Sequence, residues 1–300
     1  MSAKYRVVDP ARCTFELTFQ LSTLHFLLIN ESADPRLHDY RNIPDAELLQ
    51  RRGIFVAEGR LVVRRLLTGN RFKARSVMLT QSAYVALADV LRTRPDVPVY
   101  VVPPSLMNDI TGFNIHRGCL AIGERPTPRP WRKIVAGVRT VVLLERVANP
   151  DNVGGIFRNA AAFGADAVVL DDASADPLYR KAIRTSMGAA LVMPFARVGS
   201  LPEMLSELRR GGFATVALTP GPSATSLSSV VSDTSGKPVV LTLGHEGEGL
   251  LEETLRACEF HARIPISSAV DSLNVVAAAA VALYELGQSR AVAFGRARRP

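Results

Sequence analysis

Three stretches of the chain concentrate residues whose types suit chemistry on a small ligand. In the first, NPDNVGGIFRNAAAFGA, the turn cluster Asn149-Pro150-Asp151-Asn152 supplies N-cap candidates for a helix. Val153, Phe157, Ala160 and Gly164 then fall on one predicted buried stripe. Gly154 and Gly155 sit in the first turn, where a helical Gly costs about 1 kcal/mol relative to Ala. That cost points to a close approach there, and Arg158, four residues beyond Gly154, is placed to reach past it. In the second stretch, LGHEGEGLLEE, Gly244, Gly247 and Gly249 bracket Glu246 and Glu248. Glycines let such a loop bend and come close to a ligand. In the third, IPISSAVDSLNVV, Ser267, Ser268, Asp271, Ser272 and Asn274 lead into a helix rich in small residues. Capping alone accounts for Ser272 and Asn274, and a surface face alone accounts for Arg158.

Other chemistries lack their residues. Glu252 stands where a third Gly would complete a dinucleotide fingerprint, and no Lys-Ser/Thr ends a phosphate loop. Two carboxylates beside the glycines would repel a polyphosphate, so a hydroxylated sugar or a cationic group fits better. There is no G-x-S-x-G elbow and no H-E-x-x-H or C-x-x-C motif. The histidines at 25, 38, 116, 245 and 261 have no ligand spacing, so no metal site is expected. Cys13, Cys119 and Cys258 are scattered and odd in number, which favours a reducing compartment over a disulfide framework.

The elements that must carry these loops alternate. Apolar runs at 140–145, 166–171, 191–195, 213–218, 239–244 and 260–265 read as strands with helices between them. Short continuous apolar strands of this kind indicate a parallel sheet covered on both faces. The three stretches follow the strands at 140–145, 239–244 and 260–265, at the carboxyl ends where such sheets bind ligands. Upstream, residues 34–124 read as a small α/β sandwich. Its helices are expected at 45–53, 59–69 and 82–93, the last N-capped by Ser82, and its strands at 54–59, 74–80, 97–102 and 118–124. The run RPTPRPWRK within 125–138 is expected to be an extended spacer, leaving 139–300 as the second domain. Residues 17–29 are apolar, but Gln20 and His25 interrupt them and no cleavage site follows. Residues 1–33 are therefore read as an extension or an extra strand.

Charge separates the modules. Residues 34–133 hold 17 Lys and Arg against 9 Asp and Glu, whereas residues 134–300 hold 16 of each. The excess of the whole chain, +8, thus lies in one segment. A basic module beside a neutral one suggests that the first holds a polyanion. Arg60, Arg64, Arg71 and Arg75 are the candidates. Lys181 and Arg184 form a further basic helix face.

Taken together, and in this order and spacing, the three stretches resemble the three motifs of the SpoU family, the TrmH-like RNA 2′-O-ribose methyltransferases of the SPOUT superfamily. The segment DPLYRKAIRTSMGA between them also resembles that family, and the likeness covers about 140–290. It implies a C-terminal parallel-sheet domain tied into a trefoil knot, preceded by a small RNA-binding α/β domain. It implies S-adenosyl-L-methionine as cofactor, bound through Leu218, Gly244, Gly249, Ile264 and Leu273. It assigns the catalytic constellation to Asn149, Arg158, Glu246, Ser272 and Asn274. The site would be completed across a homodimer whose interface suits helix 275–286. Free Arg is a poor base, so an electrostatic role at the ribose hydroxyl suits Arg158 better. Ser268 and His245 stand where the family usually has smaller residues, which would narrow the cofactor pocket. The expected protein is a cytoplasmic enzyme acting on ribosomal RNA. A tRNA enzyme, a resistance methyltransferase and a non-catalytic RNA-binding protein are the alternatives.

Overall fold

The computed structural model describes residues 26–41, 44–112 and 118–297, with side chains through Gln288. Most of the N-terminal extension, with Cys13, Gln20 and His25, lies outside the described residues, as does His116.

The first module is a five-stranded mixed sheet. Its strands are β1 (Leu27–Leu28), β2 (Ile54–Glu58), β3 (Lys73–Leu79), β4 (Val99–Val101) and β5 (Cys119–Glu124), in the order β1-β4-β3-β5-β2. The helices are α1 (Asp45–Arg51), α2 (Arg60–Thr68), α3 (Gln81–Arg92) and α4 (Pro104–Thr111). In α2 the apolar residues Val62, Val63, Leu66 and Leu67 share one stripe and are buried, while Arg60 and Arg64 lie opposite. With α3, that stripe covers one face of the sheet, and Leu37, Tyr40, Met107 and Ile110 cover the other.

Two readings change here. Leu27 and Leu28 pair in parallel with Tyr100 and Val101, and Ile29 is buried, so the sheet begins before residue 34. The N-cap of α3 is Thr80, and Ser82 lies inside the first turn, its Oγ 3.2 Å from the Thr80 hydroxyl.

The second module is a seven-stranded parallel sheet. In chain order it runs α5 (Trp131–Ile134), β6 (Thr140–Leu144), α6 (Pro150–Ala162), β7 (Ala167–Leu170), α7 (Arg180–Thr185), β8 (Phe195–Arg197), α8 (Leu201–Arg210) and β9 (Ala214–Leu218). It continues through β10 (Thr225–Ser226), α9 (Leu227–Asp233), β11 (Val239–Leu243), α10 (Glu252–Ala257), β12 (Phe260–Arg263) and α11 (Val275–Ala297). The sheet order is β10-β12-β9-β11-β6-β7-β8. The chain builds outward from β6 through β7 to β8, then returns to the other side, so the order reverses between β6 and β11. Both of those strands are buried along their whole length, as continuous apolar runs demand. This α/β parallel-sheet architecture is the expected fold class, and its order is consistent with a knotted C-terminal segment.

Residues 191–195 do not form the predicted strand. Ala189–Leu191 is a 3-10 turn, and pairing starts after Pro194, which has no N–H to give a ladder. Strand β10 had no readable pattern in its two residues. Gly164 lies past the end of α6 with φ +73°, closing the helix rather than joining its buried stripe.

The proline run does not hold the two modules apart. The Arg125 N–H donates to the Gly53 carbonyl at 2.8 Å, and its guanidinium pairs with Asp176 at 2.8 Å. Arg65 donates to the Met187 carbonyl at 2.8 Å, and the Arg180 N–H donates to Asp45 Oδ2 at 2.9 Å. Leu178, Ile183 and Leu191 complete the core of the first module.

Candidate active site

The loops after β9, β11 and β12 converge on one cleft enclosing about 750 Å³, open mouth included. Leu218, Gly244, Gly249, Ile264 and Leu273 all line it, joined by Glu246 and Ser272. The cleft lies beside the reversal in strand order, where the loops leave neighbouring strands in opposite directions.

The loop after β11 owes its shape to its glycines. A Cβ on Gly244 would stand 2.5 Å from the Gly249 carbonyl carbon, so the chain can fold back there only without one. His245 and Gly249 exchange backbone hydrogen bonds at 3.2 and 3.0 Å, and Gly249 has φ +71°. His245 is part of this device: its Nδ1 accepts the N–H groups of Gly247 and Glu248 at 3.0 and 3.1 Å. The ring lines the cleft while it holds the turn closed.

Below the loop, the buried carboxylate of Glu145 accepts the Leu251 N–H at 2.7 Å and the Thr254 hydroxyl. This side chain ties the end of β6 to the start of α10. Nothing in its sequence setting marked it out. Arg146, at φ +55°, pairs with Glu248, and the guanidinium holds that carboxyl below the usual range.

A hydrogen-bonded chain crosses between the three loops. Asn152 Nδ2 donates to Glu246 Oε1, and Asn152 Oδ1 accepts from Asn274 Nδ2 at 3.4 Å. Asn274 Oδ1 in turn accepts the Val276 N–H at 2.8 Å, capping α11. Asn274 therefore caps a helix and joins the network at once. Asn149 does not join it: its Oδ1 accepts the Asp151 N–H at 2.9 Å and caps α6. Asn152, three residues later, stands between Glu246 and Asn274; the resemblance placed Asn149, not Asn152, in the catalytic constellation. Asn152, Gly155 and Asn159 are spaced at i, i+3 and i+7 on one face, and Asn159 donates to the Val276 carbonyl at 2.8 Å. That spacing was the available signal.

The paired glycines do mark a close approach, but protein makes it. A Cβ on Gly154 would lie 2.5 Å from the Ala182 carbonyl oxygen, and one on Gly155 would lie 2.7 Å from Val276 Cγ1. So α6 is clasped between α7 and α11. Arg158, one turn beyond these glycines on α6, is exposed. Lys181, on α7, pairs with Asp151 at 2.8 Å and lowers its carboxyl, with the Thr185 hydroxyl also donating to it.

The four candidate arginines of the first module do not form one patch. Arg60 is exposed, 3.4 Å from the Ser82 hydroxyl, and Arg64 on the same helical face is half-buried and pairs with Asp89. Arg75 meets Asp39 at 3.4 Å on the other side of the sheet. Arg71 is turned inward. It donates to the carbonyls of Met193 and Phe195, and its guanidinium lies 4.4 Å from the Phe195 ring centre. Burial, with Arg129 nearby, lowers its pKa to about 10. Among the described residues no group of His, Cys, Asp and Glu could hold a metal ion.

A model of the SpoU rRNA Methylase family matches residues 139–284. The chain belongs to that family of RNA methyltransferases. It is 40% identical over 260 residues to an uncharacterized tRNA/rRNA methyltransferase of Mycobacterium tuberculosis (strain ATCC 25618 / H37Rv), spanning 85% of this chain and 90% of that one. It is 30% identical over 200 residues to another, from Mycobacterium marinum, spanning 65% of this chain and 63% of that one. Among solved structures, the AdoMet-bound rRNA methyltransferase from Sinorhizobium meliloti superposes with a TM-score of 0.75. Its identity is 27%, over 88% of this chain and 98% of that one.

Proposed function

We propose that this protein transfers the methyl group of S-adenosyl-L-methionine to a ribose 2′-hydroxyl of RNA, with ribosomal RNA as the substrate. The observation that carries the reading is the cleft where the loops after β9, β11 and β12 meet. Its lining holds no Lys or Arg, and its carboxylate, Glu246, faces it beside bare glycine backbone. Such a lining suits a ligand with a cationic centre and no phosphate, and it disfavours ATP or NAD. The bound cofactor supplies an electrophilic methyl group on a sulfonium, which leaves as a neutral thioether.

Backbone groups of the loops ending in Gly244, Ile264 and Leu273 hold the cofactor, and Leu218 closes one side. Asn152 and Asn274 fix the Glu246 carboxylate by the hydrogen bonds already described. Arg158 stabilises the ribose oxygen as it attacks the methyl carbon and releases its proton to solvent water. The exposed guanidinium needs RNA or a second subunit beside it to act in a dry site. An apolar strip on the same side supports a homodimer: Phe163, Val281 and Tyr284 are exposed, with the rings of Phe163 and Tyr284 6.1 Å apart. Arg60 is the exposed cation of α2 for RNA, with Arg64, half-buried and paired with Asp89, beside it. A cytoplasmic location follows from such a substrate, and no described helix is long and apolar enough to cross a membrane.

Calorimetry with S-adenosylmethionine, S-adenosylhomocysteine, NAD and ATP tests the cofactor. The first two bind and the others do not; tight NAD binding without response to the methyl donor overturns the reading.

A further inference from the structure

A second cleft lies between the two modules, away from the cofactor loops. The proline run forms one wall, with Arg125 and Arg129, and β8 forms the other, with Phe195 and Arg197. Arg71 and Phe72 close it from the first module. Four arginines thus line a space of about 690 Å³, and no carboxylate is among the lining residues. One carboxylate stands behind them. Asp176, itself buried, meets Arg125 at 2.8 Å and Arg197 at 3.7 Å. Arg71 and Arg197 spend donors on backbone carbonyls, which carry no charge to offset theirs. Arg129 is exposed and has no hydrogen-bond or ion-pair partner among the described residues.

Crowding cations in a part-buried cleft is costly unless an anion completes it. A fold that needed only to join its modules would not require an unpaired Arg129 facing Arg71. The Phe72 and Phe195 rings are already covered by the Arg71 guanidinium, so the cleft offers charge rather than a stacking face, and its guanidinium groups suit phosphate. We propose that this cleft binds a phosphodiester of single-stranded RNA flanking the methylated nucleotide, with Arg129 as its principal contact.

The location fits that role. Arg197 ends β8 at the carboxyl edge of the parallel sheet, the edge where the cofactor cleft opens after β9, β11 and β12. From β11 to β8 is three strand spacings, roughly 14 Å. One strand of RNA can span that distance and touch both places. The inference rests on RNA being the substrate.

The test is binding of a fluorescent twelve-nucleotide oligouridylate to the full chain, read by anisotropy across a salt series, together with methyl transfer to RNA. Arg129→Ala should weaken binding threefold to tenfold and reduce the salt slope by about 0.7, one single-strand phosphate. Arg129→Lys should recover most of the affinity. Lys237→Ala, an exposed cation at the amino edge of the sheet, should change neither. S-adenosylmethionine binding should be the same in all of them. If Arg129→Ala binds the oligonucleotide as the unaltered chain does, the cleft proposal is wrong. Absence of methyl transfer to any RNA by the unaltered chain would defeat the broader reading by a separate readout.

Discussion

Gly154 and Ala182 meet backbone to backbone: a Cβ on the glycine would lie 2.5 Å from the alanine carbonyl oxygen. Helix α6 therefore sits against α7 with no room for a methyl group. Gly154→Ala should destabilise the protein by about 1–3 kcal/mol, the usual range for overpacking, despite the better helix propensity of Ala. Gly155→Ala should cost less, because its obstacle is the movable Val276 side chain rather than a backbone. Urea denaturation of the two variants checks the order. A Gly154→Ala chain more stable than the parent would show that α6 and α7 can separate freely.

Asn152, rather than the Asn149 that the resemblance implied, should matter for turnover. Asn149→Ala removes a helix cap and should cost about 1 kcal/mol of stability with turnover nearly kept. Asn152→Ala breaks the link between Glu246 and Asn274 and should lower turnover by about 10²-fold, with the melting temperature little changed. Steady-state kinetics beside thermal melts of both variants decide it. Equal turnover losses would return Asn149 to the site.

Burial pushes the thiols of Cys119 and Cys258 up to about 12. At pH 8 both stay protonated and shielded, and a thiolate is the reactive form. In a Cys13→Ser chain, a disulfide reagent should therefore titrate no thiol at pH 8 until denaturant is added, and two afterwards. Fast labelling of the native chain would mean that one of these cores opens readily.

Much of this architecture was readable because its signals are local. Short, partly β-branched apolar runs such as Val141–Leu144, bounded by polar residues, suit buried strands, and the glycines of the second loop announced a tight bend that Gly244 and Gly249 now explain. The five positions that the resemblance implied for the cofactor line one cleft: Leu218 ends β9, Gly244 and Ile264 follow β11 and β12, and Gly249 and Leu273 lie within the loops beyond. Partner choice was not readable. Arg60 and Arg71 look alike in sequence, yet one is exposed and the other is sealed against Phe195, a contact 124 residues away. The Pro-rich run had the composition of a spacer and became a wall, because Arg125 found Asp176. Asn149 and Asn152 are both good caps, and only the approach of α11 distinguishes them.

Arg158→Ala should leave the fold and cofactor binding nearly intact, since the residue is exposed. Turnover should fall by about 10²-fold or more. Arg158→Lys should recover little, because an ammonium cannot replace the guanidinium fork. If two subunits share each site, mixing Arg158→Ala with Asn274→Ala chains should restore activity in heterodimers. Unaltered turnover by Arg158→Ala removes its catalytic role, and confirmed heterodimers without activity remove the shared site.

The central claim is that the methyl group goes to a ribose oxygen. It is tested most directly by transferring labelled methyl groups to RNA from a strain lacking this protein, then digesting that RNA with alkali. A 2′-O-methyl group removes the nucleophile that cleaves the neighbouring phosphodiester. The label should therefore survive in an alkali-resistant dinucleotide, and should be absent when Arg158→Ala replaces the parent chain. Label recovered on a base in a single nucleotide would contradict the account.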